Sequence, residues 1–505
     1  MSASGLIACS VLVNRDTRQC SAEADCKRLP GGSASTCDVA RGVCMALPRV
    51  GVEGCIPPGP GLTPEQLPNV CTDVACVPFH NAAHGLKDGD DSPLVTPDGG
   101  APVSASDAGT TTVDAGTVQL PPCLSPADGR ENVIYITGSS NFPPLLAKLG
   151  PFIIRTTGYT PVYQITSSCN GVKSIFSTVA RERMIADPAA ALRTARATYV
   201  TDRGLLVACS LPAGGVNVDV GESDIFSSSC ADSGEPPADV GEYFGPIQAM
   251  IFAVPNTSTQ DVISAEMARA VFGKGGDNGK GAPWIEPRSY FVRNANTGTQ
   301  QLIGRAINVA ADRFWGTDYG TAANLKSQLE AVALERAEQS IGIISSDYYN
   351  PTMNSFKELA FQGFGQLCGF WPDSSQYVGD KRNVRDGHYP IWGPLHFFTR
   401  LNGAGAPSSP AAAAFVLNTS IAEPDTEVLN AFIDASLVPS CAMRVQRSKA
   451  DLAPLTPYTP PIGCGCYFDA RVSLGVVPPE CQECKTSQEC PASRPACRLG
   501  YCEAT

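Results

Sequence analysis

Cysteine constrains this chain more than any other residue. It occurs 21 times in 505 positions, crowded toward the two ends. A cytosolic protein would need metal clusters or redox chemistry to account for so many, whereas an exported protein carries them as disulfides. Only four histidines are present, His80, His84, His388 and His396, so mixed Cys/His zinc sites have few ligands to draw on. Cys464, Cys466, Cys481 and Cys484 could in principle form an all-cysteine zinc site. That run continues into a longer cysteine ladder, however, and reads as disulfides. No cofactor and no metal are expected.

The cysteines divide the chain. Residues 10–76 hold Cys20, Cys26, Cys37, Cys44, Cys55, Cys71 and Cys76 with little apolar periodicity between them. Such a segment buries too little surface for a core and needs disulfides. Residues 77–122 lack cysteine, and Asp98 to Thr117 is Gly, Ala, Ser, Thr and Asp without a hydrophobic period, the composition of a flexible linker. His80 and His84 stand at its start at helical spacing. Asn81 occupies the place where a zinc protease needs Glu, so they read as loop residues. Residues 123–455 carry the apolar runs of a folded domain, and residues 456–505 return to dense cysteine. Cys484, Cys490, Cys497 and Cys502 repeat the order seen in Cys20, Cys26, Cys37 and Cys44, with the same first spacing and a Gly two residues before the last cysteine. One small disulfide module at both ends is expected.

Leu6, Ile7, Ala8 and Cys9 resemble the lipobox of bacterial lipoproteins, in which the cysteine is acylated and becomes the new N-terminus. Met1 to Ala8 is too short for a complete export signal. Residues 1–9 are therefore expected to be the remnant of a lipoprotein signal, with Cys9 as the lipidation site. Setting Cys9 aside leaves 20 cysteines, enough for ten disulfides. They fall into even groups, eight from Cys20 to Cys123, eight from Cys169 to Cys481 and four from Cys484 to Cys502. An exported protein, periplasmic or held as an outer-membrane or cell-surface lipoprotein, follows from this reading. The formal charge of −12 argues against nucleic acid, where Lys and Arg supply most of the affinity for phosphates. No run of about 18 apolar residues exists to span a membrane.

Within 131–455, strand-like runs alternate with amphipathic helices. Val133 to Ile136, Tyr163 to Ile165, Ile251 to Val254 and Ile341 to Ile344 read as strands. Phe142 to Leu149, Ala265 to Phe272 (capped by Ser264) and Ala322 to Arg336 read as helices. The alternation predicts an α/β fold with mainly parallel sheets. Four loops follow strands and precede helices: Thr137 to Pro143, Thr166 to Val172, Val218 to Asp224 and Arg293 to Thr299. In open α/β sheets ligands bind at the carboxyl ends of strands, and helix starts offer free N–H groups to an anion. Hydroxyls, amides, one Arg and one Asp make a nest for an oxyanion. Asp224 selects a protonated one, because a carboxylate beside an anion is repulsive unless it accepts a hydrogen bond.

Those four loops, in that order, with Ala270 to Lys274 ahead of Trp284 and with Ile341 and Gly342 in a late strand, resemble the periplasmic phosphate-binding proteins of bacterial ABC uptake systems. The resemblance covers about 131–400 and implies a two-lobed type II periplasmic-binding-protein fold, with phosphate buried between the lobes. Lobe 1 would be about 131–250 and 345–455, and lobe 2 about 251–344. Residue by residue, it implies ligand contacts from Ser140 or Asn141 in the first loop and Ser167 or Ser168 in the second. Asp224 would be the proton acceptor, Arg293 the arginine, and Thr297, Gly298 and Thr299 the helix start beneath the anion. Two departures stand out: Cys169 and Asn170 replace a usual single glycine, and Ala295 stands where the family has an Asp that pairs with the arginine. A related oxyanion or a phosphorylated compound is therefore compatible with the pattern.

The function expected is capture of phosphate or a similar oxyanion by a substrate-binding protein tethered to a membrane, with an ABC permease as a possible partner. A surface interaction or adhesion protein that keeps the scaffold without transporting a ligand is the alternative, because end modules and a tether exceed what transport needs. A hydrolase is the third reading. No enzyme is expected: there is no G-x-S-x-G elbow, and Lys274 and Gly281 break the P-loop pattern around Gly279 and Lys280.

Overall fold

The computed structural model describes residues 120–504 apart from 189–195, 232, 277–280, 350–355, 377, 421–424, 448–449 and 474–476. Nearer the N-terminus it describes three strands, Ser35–Asp38, Val43–Ala46 and Cys55–Ile56. Cys9, the histidines at 80 and 84 and residues 77–119 of the expected linker lie outside the described residues.

The fold is mixed α/β around one large sheet. The strand that organises it is Val240–Pro255, 16 residues long. From Val240 to Ala249 it pairs antiparallel with Trp392–Arg400, and from Met250 to Ala253 it pairs antiparallel with Ile341–Ser345. On one side, Trp392–Arg400 continues to Val220–Ser223, Val133–Gly138 and Thr160–Ile165, the last three parallel to one another. On the other, Ile341–Ser345 continues to Tyr290–Val292 and Thr317–Asp318, again parallel. The expected parallel sheets are thus two parallel half-sheets joined through antiparallel strands, one of which changes partner between Ala249 and Met250.

Each half has its own core. Ile136, Phe142, Leu146, Phe397, Phe415 and Phe432 fill the first. Phe252, Phe272, Phe291, Leu302, Leu325 and Ile343 belong to the second. The run from Gln248 to Pro255 is buried at every position, as a strand covered on both faces requires. Only its apolar end, Ile251 to Val254, reads as strand in the sequence. The preceding part contains Gly241, Gly245 and Pro246, and the register shifts there between Phe244 and Ile247. Helix Pro143–Thr157 runs well past the expected Leu149. It ends where Gly158 takes φ 74° and donates its N–H to Ile154 O, a left-handed cap that glycine adopts without a Cβ penalty.

Strand pairings run across two of the expected borders. The chain was expected to return to lobe 1 at about 345, yet Phe356–Glu358 pairs with Val240–Pro255 at its lobe 2 end, and Ala360–Gln362 pairs with Val262–Ser264. Phe361 stacks on Phe252 at 5.4 Å, so burial of this aromatic pair keeps the segment with lobe 2. Contacts also run across residue 456, where the C-terminal module was expected to begin. Leu455–Pro457 pairs with Val445–Arg447, Cys464 is joined to Cys441, and Phe468 of helix Gly465–Val472 is buried in the large core.

Among the described residues, the cysteines from Cys123 onward form disulfides, as expected. Described pairs are Cys123–Cys209, Cys169–Cys230, Cys441–Cys464, Cys466–Cys481, Cys484–Cys497 and Cys490–Cys502. The pairing of Cys464, Cys466, Cys481 and Cys484 as disulfides removes the zinc reading. Cys123–Cys209 crosses the expected even groups, because the segment before Val133–Gly138 lies against Ser210. Cys368 is also disulfide-bonded, and the next two residues, Gly369 and Phe370, pair with Ile56 and Cys55. The two end modules share a feature: Cys37 faces Cys44 and Cys497 faces Cys502, each across an antiparallel hairpin.

Candidate functional site

Three lobe 1 strands and two lobe 2 segments bring their ends together at one buried point. Strand Val133–Gly138 delivers Ser139, Ser140 and Asn141. Strand Thr160–Ile165 leads to Ser167 and Ser168, and Val220–Ser223 ends at Asp224. From lobe 2, Tyr290–Val292 delivers Arg293, and helix Gly298–Ala306 starts just beyond it. Asp224 is 1% exposed and Arg293 3%.

Asp224 Oδ2 accepts from Ser139 Oγ (2.5 Å), Asn141 Nδ2 (2.9 Å) and Ser168 Oγ (3.3 Å). Asn141 Nδ2 also donates to Thr299 Oγ1 at 3.0 Å, and Gly298 N–H donates to Ser168 Oγ at 3.0 Å, so both contacts join the lobes. Arg293 Nη2 donates to Ser140 Oγ at 2.9 Å and to Gly320 O at 2.8 Å. Gly298 has to be glycine: a Cβ there would lie 2.6 Å from Asp224 Cβ and 2.7 Å from Ser168 Oγ.

Seven of the nine expected ligand residues, Ser140, Asn141, Ser168, Asp224, Arg293, Gly298 and Thr299, form this connected cluster. The other two act as helix starts. Ser167 Oγ accepts from Asn170 N–H as the cap of helix Ser168–Phe176. Thr297 is the N-cap residue of Gly298–Ala306, and its hydroxyl donates to Asn294 O. The second-loop hydroxyl in the cluster is therefore Ser168.

Several participants were not singled out from sequence. Glu222 Oε2 accepts from Ser139 N–H (2.7 Å) and from Tyr163 OH (3.1 Å). It stands two residues before Asp224, and the period of two along a strand places both on one face, a signal present in the sequence. Tyr348 OH donates to Ser140 O (2.9 Å), and Ala322 N–H, at the start of helix Ala322–Ala331, donates to Ser140 Oγ (3.2 Å). Nothing in the sequence links Tyr348 to a loop 208 residues earlier.

The electrostatics follow from burial. The Asp224 carboxyl is raised above the ordinary range by desolvation, partly offset by the Ser139, Asn141 and Ser168 hydrogen bonds and by the Arg293 charge. Glu222 is raised well above its usual range, first by burial and then by the Asp224 charge. Asp347 is raised well above its range, chiefly by desolvation of its carboxyl. Arg293 is lowered by desolvation, against the pull of Asp318, Tyr348 and Asp224. The buried atoms Asp224 Oδ1, Asn141 Oδ1 and Arg293 Nε have no hydrogen-bond partner among the described residues. Buried polar atoms without partners cost about 1–3 kcal/mol each, so two acceptors and one cationic donor at this point are suited to a ligand that both donates and accepts.

The histidines stand apart. His396 is buried with Nδ1 2.8 Å from Glu242 Oε1 and with Phe226, Phe244 and Phe398 around its ring. His388 stacks on Phe370.

No family model and no curated protein matches the chain. Among solved structures, the chain is similar to a Clostridium perfringens protein described as a phosphate ABC transporter substrate-binding protein with bound phosphate. The identity is 12% and the TM-score 0.40, over 61% of this chain and 99% of that one. It is similar also to an ABC-type phosphate transport receptor from Vibrio cholerae (10% identity, TM-score 0.38, 60% and 99% covered). The reduced OxyR regulatory domain of Pseudomonas aeruginosa matches as well (8% identity, TM-score 0.29, 60% and 96% covered). At such values the likeness does not reach the site or its ligand.

Proposed function

We propose that this chain is an exported solute-binding protein that captures phosphate, or a closely related protonated oxyanion, between its two lobes without turning it over. The observation that carries the reading is the buried meeting of Asp224 and Arg293 from opposite lobes. Each has an unpartnered polar atom, Asp224 Oδ1 and Arg293 Nε, among hydroxyl and amide side chains. Arg293 supplies charge to the anion, and Asp224 accepts a hydrogen bond from the ligand's protonated oxygen. Lobe closure about the strand Val240–Pro255 then excludes water and strengthens each hydrogen bond. Tethering through Cys9 and delivery to an ABC permease belong to the same proposal. Isothermal titration with phosphate tests it. At 100 times the dissociation constant the ligand should add about 2.7 kcal/mol of stability, and absence of both heat and thermal shift at millimolar phosphate refutes the reading.

One observation favours the alternative, a surface interaction protein that binds no ligand. Ser140 Oγ already accepts from both Arg293 and Ala322, and Asn141 already bridges Asp224 and Thr299, so the cluster partly satisfies itself. The same titration separates the two readings.

A further inference from the structure

Glu222 and Asp224 are tied together by one residue. Ser139 donates its N–H to Glu222 Oε2 at 2.7 Å and its hydroxyl to Asp224 Oδ2 at 2.5 Å. Glu222 is 0% exposed. Room for its carboxyl depends on Gly138, where a Cβ would lie 2.5 Å from Oε2. Two carboxyls held this close and out of water cannot both ionise without a large cost, so the pair shares its protons.

The donors around each carboxyl decide which one keeps the proton. Asp224 Oδ2 accepts from Ser139, Asn141 and Ser168, and the Arg293 charge acts on it from lobe 2. Glu222 has one short bond, from Ser139 N–H. Tyr163 carries a single hydroxyl proton, and its 2.5 Å contact with Ser139 O takes most of it, against 3.1 Å to Glu222 Oε2. Glu222 Oε1 has no hydrogen-bond partner among the described residues. Its other neighbours carry no charge: strand Trp392–Arg400 sets Phe397 opposite it, and Gly171 of helix Ser168–Phe176 packs on its backbone. Burial and the Asp224 charge, which raise Glu222 well above the usual range, act in the same direction.

We infer that Glu222 is a specificity-determining positioning residue: it keeps its proton in the folded protein, leaves Asp224 as the charged acceptor for the ligand's protonated oxygen, and on ionising drives the anion out. Ionised Glu222 sets a second negative charge behind Ser139, where it repels the ligand and opposes the pull of Arg293. Capture is thereby confined to the pH range in which Glu222 is neutral. This rests on the oxyanion reading above and names the residue that regulates that site.

The test compares the full chain with Glu222→Gln, which keeps the shape and cannot ionise. At about pH 6 an ordinary glutamate is ionised, so an infrared difference spectrum of the two proteins should show the carbonyl band of a protonated carboxyl. Calorimetric titration with inorganic phosphate follows, from about pH 6 to about pH 9. The affinity of the unmodified chain should fall at least about tenfold more than that of the variant, the scale of a one-unit coupling between neighbouring carboxyls. Phosphate's own titration is common to both proteins and cancels. Tyr163→Phe, which removes a hydrogen bond favouring the ionised form, should move the fall to higher pH, and it keeps the inference testable if Glu222→Gln fails to fold. Absence of the carboxyl band, parallel affinity profiles, or a fall at lower pH in Tyr163→Phe overturns the inference and leaves the oxyanion reading standing. Binding of phosphate by none of these proteins at any pH overturns both.

Discussion

Arg293 of lobe 2 crosses the cleft to donate to Ser140 Oγ of lobe 1, and the same oxygen accepts from Ala322 N–H at the start of a lobe 2 helix. One lobe 1 hydroxyl thus stands where two lobe 2 donors converge, the position an anion oxygen would take on binding. Arg293→Ala should remove a charged hydrogen bond worth about 1.5–3 kcal/mol, weakening phosphate roughly 10- to 150-fold in calorimetric titration. Arg293→Lys, which keeps the charge and loses the fork, should recover only part of it. Unchanged affinity in the alanine variant would place the site elsewhere.

Asp224 sets the choice between oxyanions. As an acceptor it suits a ligand that still carries a proton and repels one that does not. Asp224→Asn should weaken phosphate by about 10- to 100-fold, the scale of a lost charge-assisted hydrogen bond. It should also raise affinity for sulfate relative to phosphate. Competition of sulfate against phosphate, read by thermal shift in both proteins, checks this.

Glu222, Asp224 and Asp347 all have raised carboxyls in the folded protein. The folded state therefore holds protons that the unfolded chain releases near pH 4. Their contribution to stability is fully present below that value and is lost as pH rises through the raised folded values. Urea unfolding of the ligand-free protein should show this contribution to stability falling as pH rises above about 4. Glu222→Gln, which imitates the protonated form, should flatten that slope, and an identical slope in the variant would assign the effect to other carboxyls.

The disulfide Cys169–Cys230 closes a span of 61 residues beside Ser168. Chain-entropy arguments put its stabilisation at about 4 kcal/mol, with observed values commonly about 2–4 kcal/mol. Replacing both cysteines by serine should lower the unfolding free energy by that order. It should also weaken the ligand, because Ser168 loses its tether. Chemical denaturation and titration of the same sample measure the two effects.

Cys368 is disulfide-bonded, and the strand Gly369–Phe370 pairs with Cys55–Ile56. Non-reducing peptide mapping is expected to recover the Cys368 peptide joined to one from residues 20–76. Recovery of Cys368 joined to any later cysteine would contradict this.

The sequence alone carried the loop chemistry. Ser and Thr hydroxyls ahead of helix starts, one Arg, one Asp and the alternation of apolar runs with amphipathic ones are local signals, and the α/β architecture and an oxyanion nest followed from them, while the individual cluster residues were what the resemblance of the ordered loops implied. Burial of the cysteines in pairs was legible for the same reason, since an excess of cysteine in short segments has few physical explanations. Tertiary structure decided the rest. The long strand Val240–Pro255 changes partner partway along, which no local pattern records because its first half is broken by Gly and Pro. Tyr348 reaches Ser140 only because two lobes fold against each other. Phe361 stays with lobe 2 through its contact with Phe252, and Cys123 finds Cys209 through sheet packing. Periodicity reports which face of an element is apolar. Which distant face it meets, and which buried oxygen is left without a partner, depends on the packing of the whole chain.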